Sequence, residues 1–293
     1  MAKPPLPRGA SLHLGLNLVD PRHYAGWDGA LGACEFDARD MAALCQARSL
    51  NPKLLLTREA TRGALLGALA QAAQSLRRGD LFVLSFSGHG GQVPDNTRDE
   101  PDGQDETWCL YDGQLLDDEL YAALAGFAAG VRVLVLSDSC HSGTVVRAAA
   151  PLTADPHQRA RHLPRDVAQR THAAHAAFYD GLQQALLARA AALDPDAALA
   201  RLKHPGRVAP VVRRFKPSVI LIAGCQDNQT SLDGERNGAF TAALLATWKQ
   251  GAFRGNHAQF HARIQARLPA TQSPNLFTIG PAAAFVAQAP FTL

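Results

Sequence analysis

Residues 81–91 read LFVLSFSGHGG and residues 131–143 read VRVLVLSDSCHSG. Each stretch opens with a short, nearly continuous run of apolar residues and closes on a small, polar, glycine-bearing turn. Such runs are too short for a helix, and they suit a strand buried on both faces of a parallel sheet. Residues 219–222 (VILI), followed by AGCQDNQTS, repeat the pattern, and weaker strands precede them at 12–18 and 53–57. Helical patterns lie at 35–46, 61–76, 115–126, 239–250 and 259–268, with Thr61 as a plausible cap. Strands alternating with helices predict a doubly wound α/β fold with a mostly parallel central sheet. Working groups in such sheets gather beyond the carboxyl ends of the strands. The three most polar, Gly-rich turns of the chain stand at those ends.

Composition narrows the function classes. The 293 residues carry 29 Lys and Arg against 26 Asp and Glu, a net charge of +3 with no basic block, which gives no reason to expect nucleic acid. No apolar run is long enough to span a bilayer, and the first residues lack the pattern of a secretory signal, so a cytoplasmic chain without membrane partners is expected. Five scattered cysteines (34, 45, 109, 140 and 225) contain no CxxC pair. They are too few for a disulfide scaffold, and in a reducing compartment a free thiol can serve as a nucleophile.

Two of the strand-end turns hold complementary chemistry. Cys140 follows one buried strand and His89 follows another. A thiol needs a neighbouring base to become a thiolate near neutral pH, and an imidazole that takes its proton can hand it to a leaving amine. Strand tips far apart in sequence can be neighbours in a sheet, so His89 and Cys140 are the candidate catalytic pair, with His141 a distant rival for the base. The backbone N–H groups of Gly90 and Cys140 are candidate oxyanion donors, a role worth about 3–4 kcal/mol in well-studied proteases. A lone Cys is more often a small buried hydrophobe; two matching motifs in this order favour catalysis.

The pairing of SGHGG with DSCHSG resembles the metacaspase and orthocaspase branch of the caspase-like cysteine peptidases. GACEFDARDM (32–41), DEPDGQDETWCLYD (99–112), LLDDEL (115–120) and ILIAGCQDNQTS (220–231) extend the resemblance through most of the chain. It implies a single caspase-like domain over residues 1–293, a three-layer α/β/α sandwich whose mostly parallel sheet has about six strands. It also implies an acidic substrate pocket built from Cys34 and Asp37 of a C-x-x-D motif, Ser87 of S-G-H and Asp138 of D-S-C. Partly desolvated carboxylates favour a guanidinium or ammonium, so cleavage after Arg or Lys is expected. Many relatives are activated by calcium through acidic residues. Asp99, Glu100, Asp102, Asp105, Glu106, Asp117, Asp118 and Glu119 supply carboxylates, but Arg147 stands where a further Asp is expected, and no metal or other cofactor is assigned.

Residues 148–216 form a long, largely helical insertion between the nucleophile strand and the next core strand, with a helix at 171–193 and basic residues including Arg159, Arg161 and Arg165. Shielding of the cleft and self-cleavage within the insertion are both open. The expected activity is a cysteine endopeptidase acting on peptides or proteins, with a role in bacterial cell-death or defence signalling and a regulatory partner or signal molecule controlling access. The alternatives are a catalytically silent scaffold or binding protein, and a Cys–His hydrolase of a non-peptide acyl group.

Overall fold

A computed structural model of the chain describes residues 6–97, 103–139, 160–193, 215–224, 233–234, 236–270 and 272–293. The elements run β1 (Gly9–Gly15), α1 (Cys34–Ala47), β2 (Leu50–Leu56), α2 (Arg62–Ser75), β3 (Leu81–Ser87), β4 (Gly90–Pro94), β5 (Gln104–Leu110), β6 (Gly113–Leu116) and α3 (Asp117–Leu124). They continue with β7 (Arg132–Asp138), α4 (Arg165–Leu193), β8 (Ser218–Ala223), α5 (Ala239–Trp248), α6 (His257–Gln265), β9 (Asn275–Ile279) and α7 (Ala283–Val286).

Six strands form the main sheet in the order β2-β1-β3-β7-β8-β9, all parallel except β9, which pairs antiparallel with β8. The period-2 alternation of the strands builds two cores. Phe82, Leu84 and Phe86 of β3 join Val133 and Val135 of β7 on the face covered by Leu65 and Leu69 of α2 and Leu120 and Leu124 of α3. Leu81, Val83, Leu134 and Leu136 point the other way, onto Met41 and Leu44 of α1, Phe240 and Leu244 of α5, and Phe260 and Ile264 of α6. Burying such a side chain contributes roughly 1.5–3 kcal/mol, which is why strands without polar alternation settle in the middle layer of three. Caps start two of the helices: the Thr61 hydroxyl accepts from the Ala64 N–H, and Asn256 and Gln259 form a capping box on α6.

The register positions the site. Gly15 pairs with Ser87, and Ser87 pairs with Asp138, so the carboxyl ends of β1, β3 and β7 are level with one another.

Besides shifted strand ends and the strands β4, β6 and β9, which the sequence reading did not name, three differences bear on the site. The helix expected over 115–126 starts at Asp117, because Leu115 and Leu116 belong to β6. The acidic stretch after His89 contributes β5 to a small antiparallel sheet, β4-β5-β6. Its polar residues hide that strand from a periodicity reading, and they are satisfied by side-chain partners: Thr107 donates to Gln114 (2.7 Å), and Gln183 donates to Asp105 (2.7 Å). The helix expected over 171–193 begins at Arg165 and breaks locally at His175. Of the insertion expected at 148–216, residues 148–159 and 194–214 lie outside the described residues.

Candidate active site

His89 sits two residues past the end of β3 and is buried. Its Nε2 lies 2.9 Å from the carbonyl oxygen of Gly29, and the Trp27 ring packs against it at 4.7 Å. A carbonyl can only accept, so Nε2 carries the hydrogen and Nδ1 is left bare. Nδ1 is buried without a well-formed hydrogen bond, and the His162 backbone, like the Gly29 carbonyl, pulls the ring's pKa upward. Burial pushes the His89 pKa down to about 3, against the upward pull of the Gly29 carbonyl. The ring is therefore a neutral imidazole.

Beside it lies an acidic hollow. Asp37 comes from the first turn of α1, Ser87 and Asp138 from the paired tips of β3 and β7, and Asp233 from the segment before α5. Ser87 Oγ donates to Asp37 (2.7 Å). Asp37 also accepts from the Gly238 N–H and from Asn237 Nδ2, each at 3.0 Å. Asp138 accepts from the Thr241 N–H (3.0 Å) and hydroxyl (2.8 Å). Asp233 accepts from the backbone N–H groups of Gly32 (2.6 Å) and Ala33 (3.3 Å) at the N-terminal end of α1, where the helix dipole favours negative charge. Burial raises the Asp37 pKa, and Asp138 raises it further. Cys34 is fully buried and feels the same charges; burial pushes its thiol up.

The hollow is filled by the protein's own Arg161. Its guanidinium is fully buried. One terminal nitrogen reaches Ser87 Oγ (2.8 Å) and Asp138 (3.1 Å), and the other reaches Asp37 (2.8 Å) and Asp233 (2.7 Å). Desolvation pulls the Arg161 pKa down, but Asp138, the Cys34 thiol, Asp37 and Asp233 outweigh it and hold the group well above its ordinary value. Gly238 floors the seat: a Cβ there would stand 2.5 Å from the guanidinium carbon, so only glycine admits it. The backbone of the same segment bridges to Gly90, whose N–H donates to the Arg161 carbonyl (3.1 Å) and whose carbonyl accepts from the Leu163 N–H (2.7 Å).

The structure thus brings together His89, Gly90, Cys34, Asp37, Ser87 and Asp138. Cys140 lies outside the described residues; the buried Ser139 immediately before it shares a 2.8 Å hydrogen bond with Ser137. Sequence reasoning missed three groups. Asp233 stands in an unremarkable stretch of sequence, SLDGE, the role of Gly29 is played by a backbone carbonyl that no side chain announces, and Arg161 was one basic residue among many in the insertion.

Of the acidic residues expected as calcium donors, Glu119 and Asp105 have protein partners. Glu119 pairs with Arg62 (2.6 Å), Asp105 accepts from Gln183, and the pKa of Asp118 is raised by burial and by Asp95. Among the described residues no group of three or more His, Cys, Asp or Glu could hold a metal ion, while Asp99, Glu100, Asp102 and Arg147 lie outside them. No helix among the described residues is long and apolar enough to cross a membrane.

The family model described as Caspase domain matches residues 18–285. This chain belongs to the caspase-domain family of cysteine peptidases. Among curated relatives, it is 28% identical to Metacaspase-1B of Aspergillus oryzae over 82% of this chain and 60% of that one. It is 31% identical to Metacaspase-1 of Saccharomyces cerevisiae over 64% of this chain and 45% of that one. The chain therefore spans about half to three fifths of the length of these two relatives. A crystal structure of protein GSU0716 from Geobacter sulfurreducens superimposes with a TM-score of 0.83 at 51% identity, covering 98% of this chain and 99% of that one. Caspase-1 from Spodoptera frugiperda shares the fold at TM-score 0.50 and 9% identity, covering 94% of this chain and 88% of that one.

Proposed function

We propose that this chain is a cysteine endopeptidase that cuts peptide bonds after Arg or Lys. The observation that carries the reading is the acidic hollow beside His89, which accommodates a fully buried guanidinium on three carboxylates and a hydroxyl. Cys34, Asp37, Ser87 and Asp138, with Asp233, form the pocket for the residue before the scissile bond. Cys140 is the nucleophile: it follows Asp138 by two residues as His89 follows Ser87, and Ser87 and Asp138 are register partners. Nδ1 of His89 takes the thiol proton, and the Gly29 carbonyl keeps the ring in the tautomer this requires. The sulfur attacks the substrate carbonyl carbon, the N–H groups of Gly90 and Cys140 receive the oxyanion, and His89 returns the proton to the departing amine. Water then hydrolyses the thioester.

Arginine is the better substrate of the two, because a planar fork engages acceptors on both terminal nitrogens where an ammonium is a point charge. Cys34, Cys45 and Cys109 are free and buried, which suits a reducing, cytoplasmic compartment. The test is a panel of fluorogenic peptides ending in Arg, Lys or Asp. Wild type is expected to hydrolyse the Arg peptides fastest and the Asp peptides not at all, and Cys140→Ala to be inert. Inertness of wild type to every peptide would sink the reading in favour of a silent scaffold or a non-peptide acyl hydrolase.

A further inference from the structure

The strand β8 is buried at five of its six positions, and the exception is Leu221, which is half-buried. Its register partner on β9, Phe277, is 51% exposed. An opening in the middle of a sheet face needs a physical account, and here it is a cavity. Leu221 and Phe277 line a space of about 140 Å³ together with Trp108 of β5, Leu115 of β6 and Leu120 of α3, where the small sheet meets the main one. An apolar space of that size admits one benzene-sized ring. Two carboxylates, Glu106 and Asp117, also line it; both are half-buried, and no basic side chain stands among the described lining residues. Asp117 is held in place by the Asp118 N–H, which donates to it at 2.8 Å. A divalent metal would need six or more oxygens around it, whereas an ammonium beside apolar walls needs only one or two acceptors.

We propose that this cavity is a binding site for an arylalkyl ammonium compound, a single aromatic ring joined by a short chain to a primary ammonium. The ring enters between Trp108, Leu120 and Leu221 and covers the open face of Phe277. The ammonium stays beside Glu106 and Asp117, where it keeps part of its hydration and is not stranded in an apolar interior. The site lies on the opposite face of the sheet from the acidic hollow: Ser137 lines the cavity, while the next residue, Asp138, faces Arg161. Ser137 also shares its 2.8 Å hydrogen bond with Ser139, the residue before Cys140. A ligand packed against Ser137 competes with Ser139 for that hydroxyl and loosens the strand end that leads to the proposed nucleophile. It does so without entering the pocket for the substrate side chain. This effect on catalysis, unlike the binding itself, rests on the peptidase reading above.

The experiment titrates the full chain by calorimetry with 2-phenylethylamine, and with 2-phenylethanol as its uncharged counterpart. Wild type is expected to take up one amine per chain and to bind the alcohol about threefold to tenfold more weakly, since the alcohol lacks the charge-assisted contact. Glu106→Gln should weaken the amine by a similar factor and leave the alcohol unchanged. Leu221→Trp, which fills the cavity from β8, should abolish binding of both. Phe277→Ala, at an exposed position, should weaken both severalfold and serves in its place if the tryptophan variant does not fold. With the site saturated by amine, kcat on an Arg-ended fluorogenic peptide should fall at constant KM. No saturable uptake by wild type, or uptake that survives in folded Leu221→Trp, overturns the site, and equal affinity for the alcohol overturns the ammonium assignment. Bound amine with kcat unaltered overturns the link to catalysis, and a rise in KM alone would put the amine in the acidic hollow instead. A chain that binds the amine and cuts no peptide keeps the site and overturns the peptidase reading.

Discussion

Among the described residues Arg161 is fully buried against carboxylates and Arg62 is partly buried against one, and the two are partnered differently. Arg62 meets one carboxylate, Glu119, at 2.6 and 2.8 Å, with the Gln114 carbonyl as a further acceptor and the Phe178 ring 5.1 Å away. That clasp ties α2 to α3 with charges that cancel. Arg161 meets three carboxylates, each also held by backbone or side-chain donors of its own. Those donors would keep the acids in position if the guanidinium left. Arg62 thus forms a one-to-one pair, whereas Arg161 sits among surplus acid that has donors of its own.

Substitutions can break or sharpen this contrast, the largest effect first. Asp37→Ala removes a carboxylate that contacts the guanidinium and organises Ser87, Asn237 and Gly238. Loss of one partner of a buried charge pair costs about 3–5 kcal/mol, so kcat/KM for Arg peptides should fall about a hundredfold to several thousandfold. Arg62→Met should cost a comparable 3–5 kcal/mol in stability, because Glu119 is left buried without its cation, yet kcat/KM measured on the folded fraction should not change. If Arg62→Met instead lowered kcat/KM, the division between clasp and pocket would fail.

Asp233→Asn keeps an acceptor for Gly32 and Ala33 but removes one charge, so a smaller loss is expected, about tenfold to a hundredfold in kcat/KM for Arg peptides, with stability nearly unchanged. An equal effect on an uncharged substrate would show that Asp233 only shapes the loop. Preference for Arg over Lys should be the smallest effect of the activity series, about tenfold, since it measures the difference between a fork and a point charge.

The pH dependence of stability tests the buried imidazoles. Burial lowers both His13 and His89 to about 3 from an ordinary 6.5. A depressed folded-state pKa means that the unfolded chain binds more protons, so this stability is present above pH 6.5 and is lost as pH falls toward the folded values. Each such histidine removes up to about 1.4 kcal/mol per pH unit in that window. Asp37, raised by burial, acts in the opposite sense, since its protonation favours the folded state. The two histidines outweigh it, and the melting temperature should fall between pH 7 and pH 5; a rise would contradict their burial as neutral rings.

Local chemistry was readable wherever one strand or turn contains the whole signal. The unbroken apolar runs of β3, β7 and β8 announced a two-faced sheet, and the residues at their tips named His89 and Gly90 as candidates, while Ser87 and Asp138 came from the resemblance of their motifs to a known family. The antiparallel β5 was not readable, because Asp105 and Thr107 are paid no penalty for burial only once Gln183 and Gln114 satisfy them from other elements. The extra helical turns before residue 171 were missed for a related reason: Leu163 and Val167 find their core partners, Val19 and Tyr24, at the other end of the chain.

From sequence alone came the alternation of elements, the three-layer class and the residue types able to carry nucleophilic and acid–base chemistry, since burial periodicity and side-chain chemistry are properties of single segments. The tertiary structure alone decided that a backbone carbonyl of Gly29 sets the His89 tautomer, that Asp233 is a third acid of the hollow, and that Arg161 fills it. Those facts depend on contacts between residues up to 201 positions apart, as between Asp233 and Gly32. Such contacts exist only once the strand register brings the tips of β3 and β7 side by side, and no local pattern encodes which distant group will meet them there.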